Sequence, residues 1–164
     1  MASGDQPIDL TDPVDADHAG RIGRAWIELR RGAWTQELRC YLVGHDQPLE
    51  PGQMDALDLL EREDRTMKQL AERMRIDPSS ATRAVHRLVT DGLAVRAPAP
   101  DDGRVVMVQI SEQGRTRHAE VAARRAHAMS LILGEFTAEE RSDLADLLDR
   151  FVQSLDATVD RLSP

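Results

Sequence analysis

Six side chains that can donate hydrogen bonds recur over residues 79–87: Ser79, Ser80, Thr82, Arg83, His86 and Arg87. Ala81, Ala84, Val85, Leu88 and Val89 interleave with them at helical spacing, so donors and apolar residues fall on opposite faces of one helix. Hydroxyls beside a helix N-terminus can hold phosphate oxygens, and arginines further along can reach O6 and N7 of guanine. Any one of these residues is equally at home on a solvated helix surface. The whole arrangement predicts a helix that enters the major groove of DNA with its N-terminus leading. An enzymatic reading finds no foothold. His18, His45, His86, His118 and His127 are scattered, and there is neither a glycine-rich phosphate loop nor a nucleophile motif. The lone Cys40 excludes an intramolecular disulfide, and no Cys/His spacing suits zinc. No catalytic residue, metal or cofactor is therefore expected.

The elements around this helix explain how it would be held. Thr66 stands as an N-cap with Gln69 three residues on, and Leu70 and Met74 share a face of the helix that follows. After the turn at Arg75 and Ile76, Asp77 caps a second helix that has Pro78 at its first position, and Gly92 closes it. Two short helices joined by a tight turn make a helix-turn-helix. Residues 93–98 and 104–110 then read as strands joined by Asp101, Asp102 and Gly103, a hairpin placed as a wing. Arg104, at the start of the return strand, is placed to enter a minor groove, with Asp102 near enough to orient its guanidinium. An exposed ion pair of little energetic consequence is the competing account of those two residues. A winged helix that binds protein in place of DNA is a further alternative; it would favour acidic or apolar residues where Arg83, His86, Arg87 and Arg104 stand.

The segments PLEPGQMDALDLLE, TMKQLAERMRIDPSSATRAVHRLVTDGLAVR and DDGRVVMVQISEQG resemble the multiple-antibiotic-resistance-regulator (MarR) family of bacterial transcription factors. The resemblance spans residues 18–160 and is most specific in the central block. It includes a Leu-x-x-x-Gly-Leu-x-x-Arg exit from Leu88 to Arg96 and an Asp-x-Arg wing at Asp102 and Arg104. Gly103 stands where the family often has another basic residue, Ile110-Ser111 replaces Leu-Thr, and Pro98 and Pro100 stiffen the outgoing strand. The resemblance implies a mainly helical fold with a small β wing and a cytoplasmic homodimer acting on double-stranded DNA. It further implies repression of a palindromic operator, relieved by a small, often aromatic, ligand. The DNA-contacting set it implies is Ser79, Ser80, Thr82, Arg83, His86, Arg87, Arg96, Asp102 and Arg104.

Net charge is −8, which on its face opposes nucleic-acid binding, but residues 65–104 hold eight Lys/Arg against five Asp/Glu. A basic island in an acidic chain fits a local DNA footprint. Residues 1–16 hold no basic residue and read as a loosely attached arm, ahead of one regulator domain over 17–164. Within it, about 50–110 form the DNA-reading part, while 17–45 and 111–162 form dimerisation helices. The first of these is expected from near Asp17 to Val43, with a stripe through Ile22, Trp26, Leu29, Ala33, Leu38, Tyr41 and Leu42, and Gly44 ends it. Pro51 opens the next helix, packed beneath the reading pair. Ser111 caps a helix running to about Gly134, and Thr137 with Glu140 opens the last. There Leu144, Leu148, Phe151, Leu155, Val159 and Leu162 form a stripe too long for a small domain to bury alone. A two-fold dimer interface and an intramolecular bundle both satisfy it. Trp26, Trp34, Tyr41 and His45 lie where the resemblance implies a ligand pocket could sit, but core or dimer contacts account better for most of them, and no effector residue is assigned. Cys40 reads as a buried, inert thiol, with a redox-sensing switch as the alternative. No run of about 18 apolar residues suggests a membrane span.

Overall fold

The computed structural model describes residues 7–32, 36–44, 48–99 and 102–162. In chain order these form α1 (Pro13–Gly32), α2 (Gln36–Val43), α3 (Pro51–Leu60), β1 (Arg65–Thr66), α4 (Met67–Met74), α5 (Pro78–Thr90), β2 (Ala94–Pro98), β3 (Val106–Ile110), α6 (Glu112–Leu133) and α7 (Ala138–Leu162). The fold is mainly helical with one small antiparallel sheet, as the sequence leads one to expect.

The start of the chain differs from that expectation. The first helix begins at Pro13, four residues early, because Asp12 caps it, accepting the backbone N–H of Val14 at 2.8 Å and of Asp15 at 3.2 Å. Residues 13–16 therefore belong to α1 and not to an arm. Of the single helix expected through Val43 the structure describes α1 and α2, and the stretch between them, Ala33, Trp34 and Thr35, lies outside the described residues. Gly44 does end α2, with φ of 78° and its N–H donated to the Cys40 carbonyl at 2.9 Å.

The core lies where α3 packs beneath the α4–α5 pair and against α6. Leu57, Leu60, Leu70, Val85, Leu88, Val108 and Val121 are its largest fully buried side chains. Burying each such side chain contributes about 1.5–3 kcal/mol. The sheet has the order β1-β3-β2, with Ala94 opposite Ile110 and Pro98 opposite Val106 in the hairpin. Strand β1 escapes a sequence reading because two residues cannot show alternation; its partners are Val108 and Met107 of β3. This third strand ties the start of α4 to the base of the wing. Among the described residues none of α1 or α7 is buried, and most of their large apolar side chains stay exposed, including Trp26, Leu29, Leu148, Val152, Leu155 and Val159.

Candidate nucleic-acid interface

The helix-turn-helix forms as its capping residues dictate. Thr66 Oγ1 accepts the Gln69 N–H at 3.2 Å, and Gln69 Oε1 accepts the Thr66 N–H at 2.8 Å. The turn runs through Arg75, which is left-handed at φ 54°, ψ 41°. Asp77 then caps α5, accepting the Ser80 N–H at 2.9 Å and the Ser80 hydroxyl at 2.7 Å, and the Ser79 hydroxyl as well. These donors, the Ser79 hydroxyl foremost, hold the Asp77 carboxyl far below the ordinary carboxylate range. At its other end α5 stops at Gly92, whose φ of 72° lets Leu93 return its N–H to the Leu88 carbonyl at 2.8 Å.

The expected polar face of α5 is present. Ser79, Thr82, Arg83, His86 and Arg87 are exposed and Ser80 is half-buried, while Ala81, Ala84, Val85 and Leu88 are buried and Val89 is half-buried. The local bonding refines the roles. Both serine hydroxyl protons are committed to Asp77, and Thr82 donates to the Pro78 carbonyl at 2.8 Å. Arg83 donates from Nη2 to Ser80 Oγ at 3.0 Å, so a relay from Asp77 through Ser80 aims its guanidinium along the helix. Among the described residues, the side chains of His86, Arg87, Arg96 and Arg104 make no hydrogen bond or ion pair. Their donors face outward. Elsewhere on the molecule many arginines are paired: Arg39 with Glu50 at 3.1 Å, Arg115 with Glu61 at 3.2 Å, Arg125 with Asp58 at 2.7 Å.

The wing corrects two expectations. Arg104 lies in the turn and not in the return strand, which starts at Val106. The turn holds together because Val105 donates its N–H to the Asp102 carbonyl at 2.9 Å and Ala99 donates its own to the Val105 carbonyl at 2.8 Å. Asp102 does not orient the Arg104 guanidinium. Its Oδ1 accepts the Arg104 backbone N–H at 3.0 Å, an Asx-type contact that shapes the tip and leaves the guanidinium extended. Pro100 and Asp101 lie outside the described residues.

Two neighbouring features were not legible in the sequence. A groove of about 270 Å³ separates the start of α3 from α5, lined by Glu50, Gly52 and Gln53 on one side and by Ser80, Arg83 and Arg87 on the other. Buried Gln53 joins the two helices: its Oε1 accepts the Glu50 N–H at 3.0 Å, and its Nε2 donates to Asp91, the last cap of α5, at 3.2 Å. The only signal was Gln three residues after a residue preceding Pro51, a capping pattern without the usual hydroxyl. A second cavity, about 280 Å³, opens between α2, α3 and α6 and is lined by Arg39, Leu42, Leu49, Met54, Asp55 and Arg125. Burial, and then the charge of Asp58, push the Asp55 carboxyl upward. Of the aromatic residues noted in the sequence, Trp26 and Tyr41 do not line this cavity. Trp26 packs on Phe151 at 5.8 Å between ring centroids, Tyr41 lies 6.4 Å from His127, and Trp34 and His45 fall outside the described residues. Cys40 is half-buried and not enclosed as expected. No cluster of three potential metal ligands occurs among the described residues. No described helix is long and apolar enough to cross a membrane.

Comparison with known proteins agrees with this geometry. Residues 47–105 match the model of the MarR family. The chain is 38% identical over 114 residues to the HTH-type transcriptional regulator Mb0904 of Mycobacterium bovis, covering 66% of this chain and 77% of that one. It is 29% identical over 103 residues to the HTH-type transcriptional regulator YdgJ of Bacillus subtilis, covering 62% of this chain and 63% of that relative's length, somewhat less than two thirds. In fold it is similar to Streptococcus pneumoniae FabT, a structure solved in complex with DNA, with a TM-score of 0.75 at 19% identity over 85% of this chain and 99% of that one. A helix-turn-helix whose second helix presents a basic row, followed by a β hairpin, defines the class as winged-helix transcription regulators. Within that class the chain belongs to the MarR family.

Proposed function

We propose that the protein is a homodimeric repressor that reads a palindromic operator through α5 and the wing, and releases it when a small ligand binds. The observation that carries the DNA half is the row of outward, unpaired donors at His86, Arg87, Arg96 and Arg104, on a molecule that pairs many of its other arginines. Arg87 and the aimed Arg83 suit guanine edges in the major groove. Arg104 at the wing tip suits the electronegative minor groove, and Arg96 a phosphate. Ser79, Ser80 and Thr82 mark the leading end of α5, where backbone N–H groups favour an anion, while Asp102 shapes the turn that carries Arg104. Binding, not catalysis, is then the protein's activity, and its place is the cytoplasm that holds the DNA. Occupying the operator excludes other proteins from it, which is repression.

Residues 17–45 and 111–162 are the dimerisation part of this reading and residues 50–110 the DNA-reading part. The apolar faces of α1 and α7 support it: Leu148 is 50% exposed and Val159 56%, an unsatisfied stripe in a single protomer. A two-fold axis through these helices would present two copies of α5 about one DNA turn apart. The cavity beside Arg39 and Arg125 supports the ligand half, since it has an apolar wall and two guanidinium groups, which a small acid would take over from their present partners Glu50 and Asp58. A ligand there would act through differential affinity for a protomer arrangement that no longer matches the groove spacing. Redox control through Cys40 has less support, because Cys40 is half-buried and a single cysteine per chain closes no disulfide within a protomer.

The test is fluorescence anisotropy on a duplex recovered by selection from random DNA. Wild type should bind it at nanomolar concentration, and the double variant Arg83→Ala/Arg87→Ala should lose sequence preference while keeping its fold by circular dichroism. Equal binding by the double variant would remove α5 as the reader.

A further inference from the structure

α7 reaches back to the DNA-reading head through one bidentate ion pair. Arg75 Nη1 meets Asp156 Oδ1 at 2.7 Å and Nη2 meets Oδ2 at 3.0 Å, a parallel fork between residues 81 apart in sequence. The two ends belong to different parts of the molecule. Arg75 closes α4 inside the helix-turn-helix, while Asp156 stands in the second half of α7, on a helix that buries none of its residues. Packing therefore does little to fix α7 against the reading head.

The backbone at Arg75 sharpens the point. Its φ of 54° makes it the one non-glycine residue with positive φ among those described. Glycine is the residue that fits such a helix-ending position without strain. An arginine there carries a conformational cost that a tight turn does not require, so its side chain is the feature to explain. The pair is exposed, and exposed ion pairs contribute little to stability. A bidentate fork, however, fixes relative orientation, which a single point contact does not. Asp160, one turn further along α7, adds a smaller attraction for the same guanidinium.

We infer that Arg75 and Asp156 are positioning residues that lock each reading head to the dimerisation helix and so set the spacing between the half-sites the dimer accepts. This rests on the dimeric DNA-reading function proposed above. With the fork closed, the two α5 helices hold one separation and the protein rejects operators with altered spacers. With it open, the heads swivel and spacing matters less.

The experiment compares the selected duplex with the same duplex carrying two extra base pairs between half-sites, using wild type, Arg75→Gly, Asp156→Asn and the exchanged pair Arg75→Asp/Asp156→Arg. Both single variants should lose discrimination between the duplexes on the order of tenfold, within the usual range of coupling between sites. The exchanged pair should regain it. Arg75→Gly should unfold at the same temperature as wild type or higher, since glycine relaxes the left-handed turn; a merely structural role predicts the opposite. Unchanged discrimination in both single variants would overturn the inference. So would a loss confined to Arg75→Gly together with a shallower salt dependence, the mark of a phosphate contact. Hydrogen exchange over residues 150–162 of the free protein gives a readout that needs no DNA. It should quicken in both single variants, and an unchanged rate would count against the lock. Failure of wild type to select any duplex would defeat the DNA-reading proposal and leave the exchange measurement to decide the lock.

Discussion

At the scale of single residues, the reading surface depends on which donors are already engaged. Arg87 has no partner among the described residues, whereas Arg83 is steered by Ser80, which is itself held by Asp77. A bidentate arginine contact to guanine is worth about 1–3 kcal/mol of discrimination. Arg87→Ala should therefore relax base preference at one position of each half-site, seen as a changed consensus when the variant is put through selection. Ser80→Ala should reproduce part of the Arg83→Ala effect without removing a base contact, because it frees the guanidinium from its relay. The Asp77 cap adds a pH dependence. A folded pKa held below the ordinary 3.8 stabilises the fold when the group is ionised. That contribution is complete above the unfolded value and is lost as pH falls through the folded one. Asp77→Ala should thus melt at lower temperature than wild type near pH 7, with the gap narrowing below about pH 4; a gap that widened on acidification would contradict the cap. Thr66, Asp77, Ser111 and Thr137 were legible in the sequence because a cap bonds within three residues of itself. The Arg75–Asp156 fork and the Gln53–Asp91 bond were not, since nothing local marks partners 81 and 38 residues apart.

At the scale of elements, helices with a cap and a stripe could be read, and elements defined by their neighbours could not. α4, α5, α6 and α7 start where their capping residues stand, and the winged-helix core follows from their periodicity. β1 exists only because β3 pairs with it, and a two-residue strand has no alternation to read. The wing was read as an ion pair at its tip; the backbone N–H of Arg104 took the carboxylate instead, as short Asp side chains in turns tend to do. Arg104→Ala should weaken binding to all duplexes by a similar factor and lower the salt slope by about one. Asp102→Ala should weaken binding less, through a looser turn, measured by anisotropy from low to moderate salt. Tighter binding by Asp102→Ala would mean that repulsion of phosphate is its main effect. For α7, Leu148→Glu/Leu155→Glu should yield a monomer by sedimentation with much of the helical content retained, because both side chains are exposed in the protomer. A dimer that survives both charges would place the interface elsewhere.

The whole molecule joins a basic reading head to acidic surroundings. With net charge −8 overall and an excess of basic residues over 65–104, the protein should be repelled from DNA except where the head is presented squarely to the groove. That favours specific over non-specific binding and makes geometry between the two heads decisive, which gives α7 and its tie to Arg75 their part. The sequence carried the charge island and the unsatisfied stripe of α7, while the placement of α7 against the head needed the folded chain. The most direct measurement is selection of bound duplexes from random DNA by the wild-type protein, followed by sequencing. The account predicts an inverted repeat whose half-site centres lie about one helical turn, 10–10.5 base pairs, apart. Recovered sequences with no common motif, or a single half-site without its inverted copy, would contradict it.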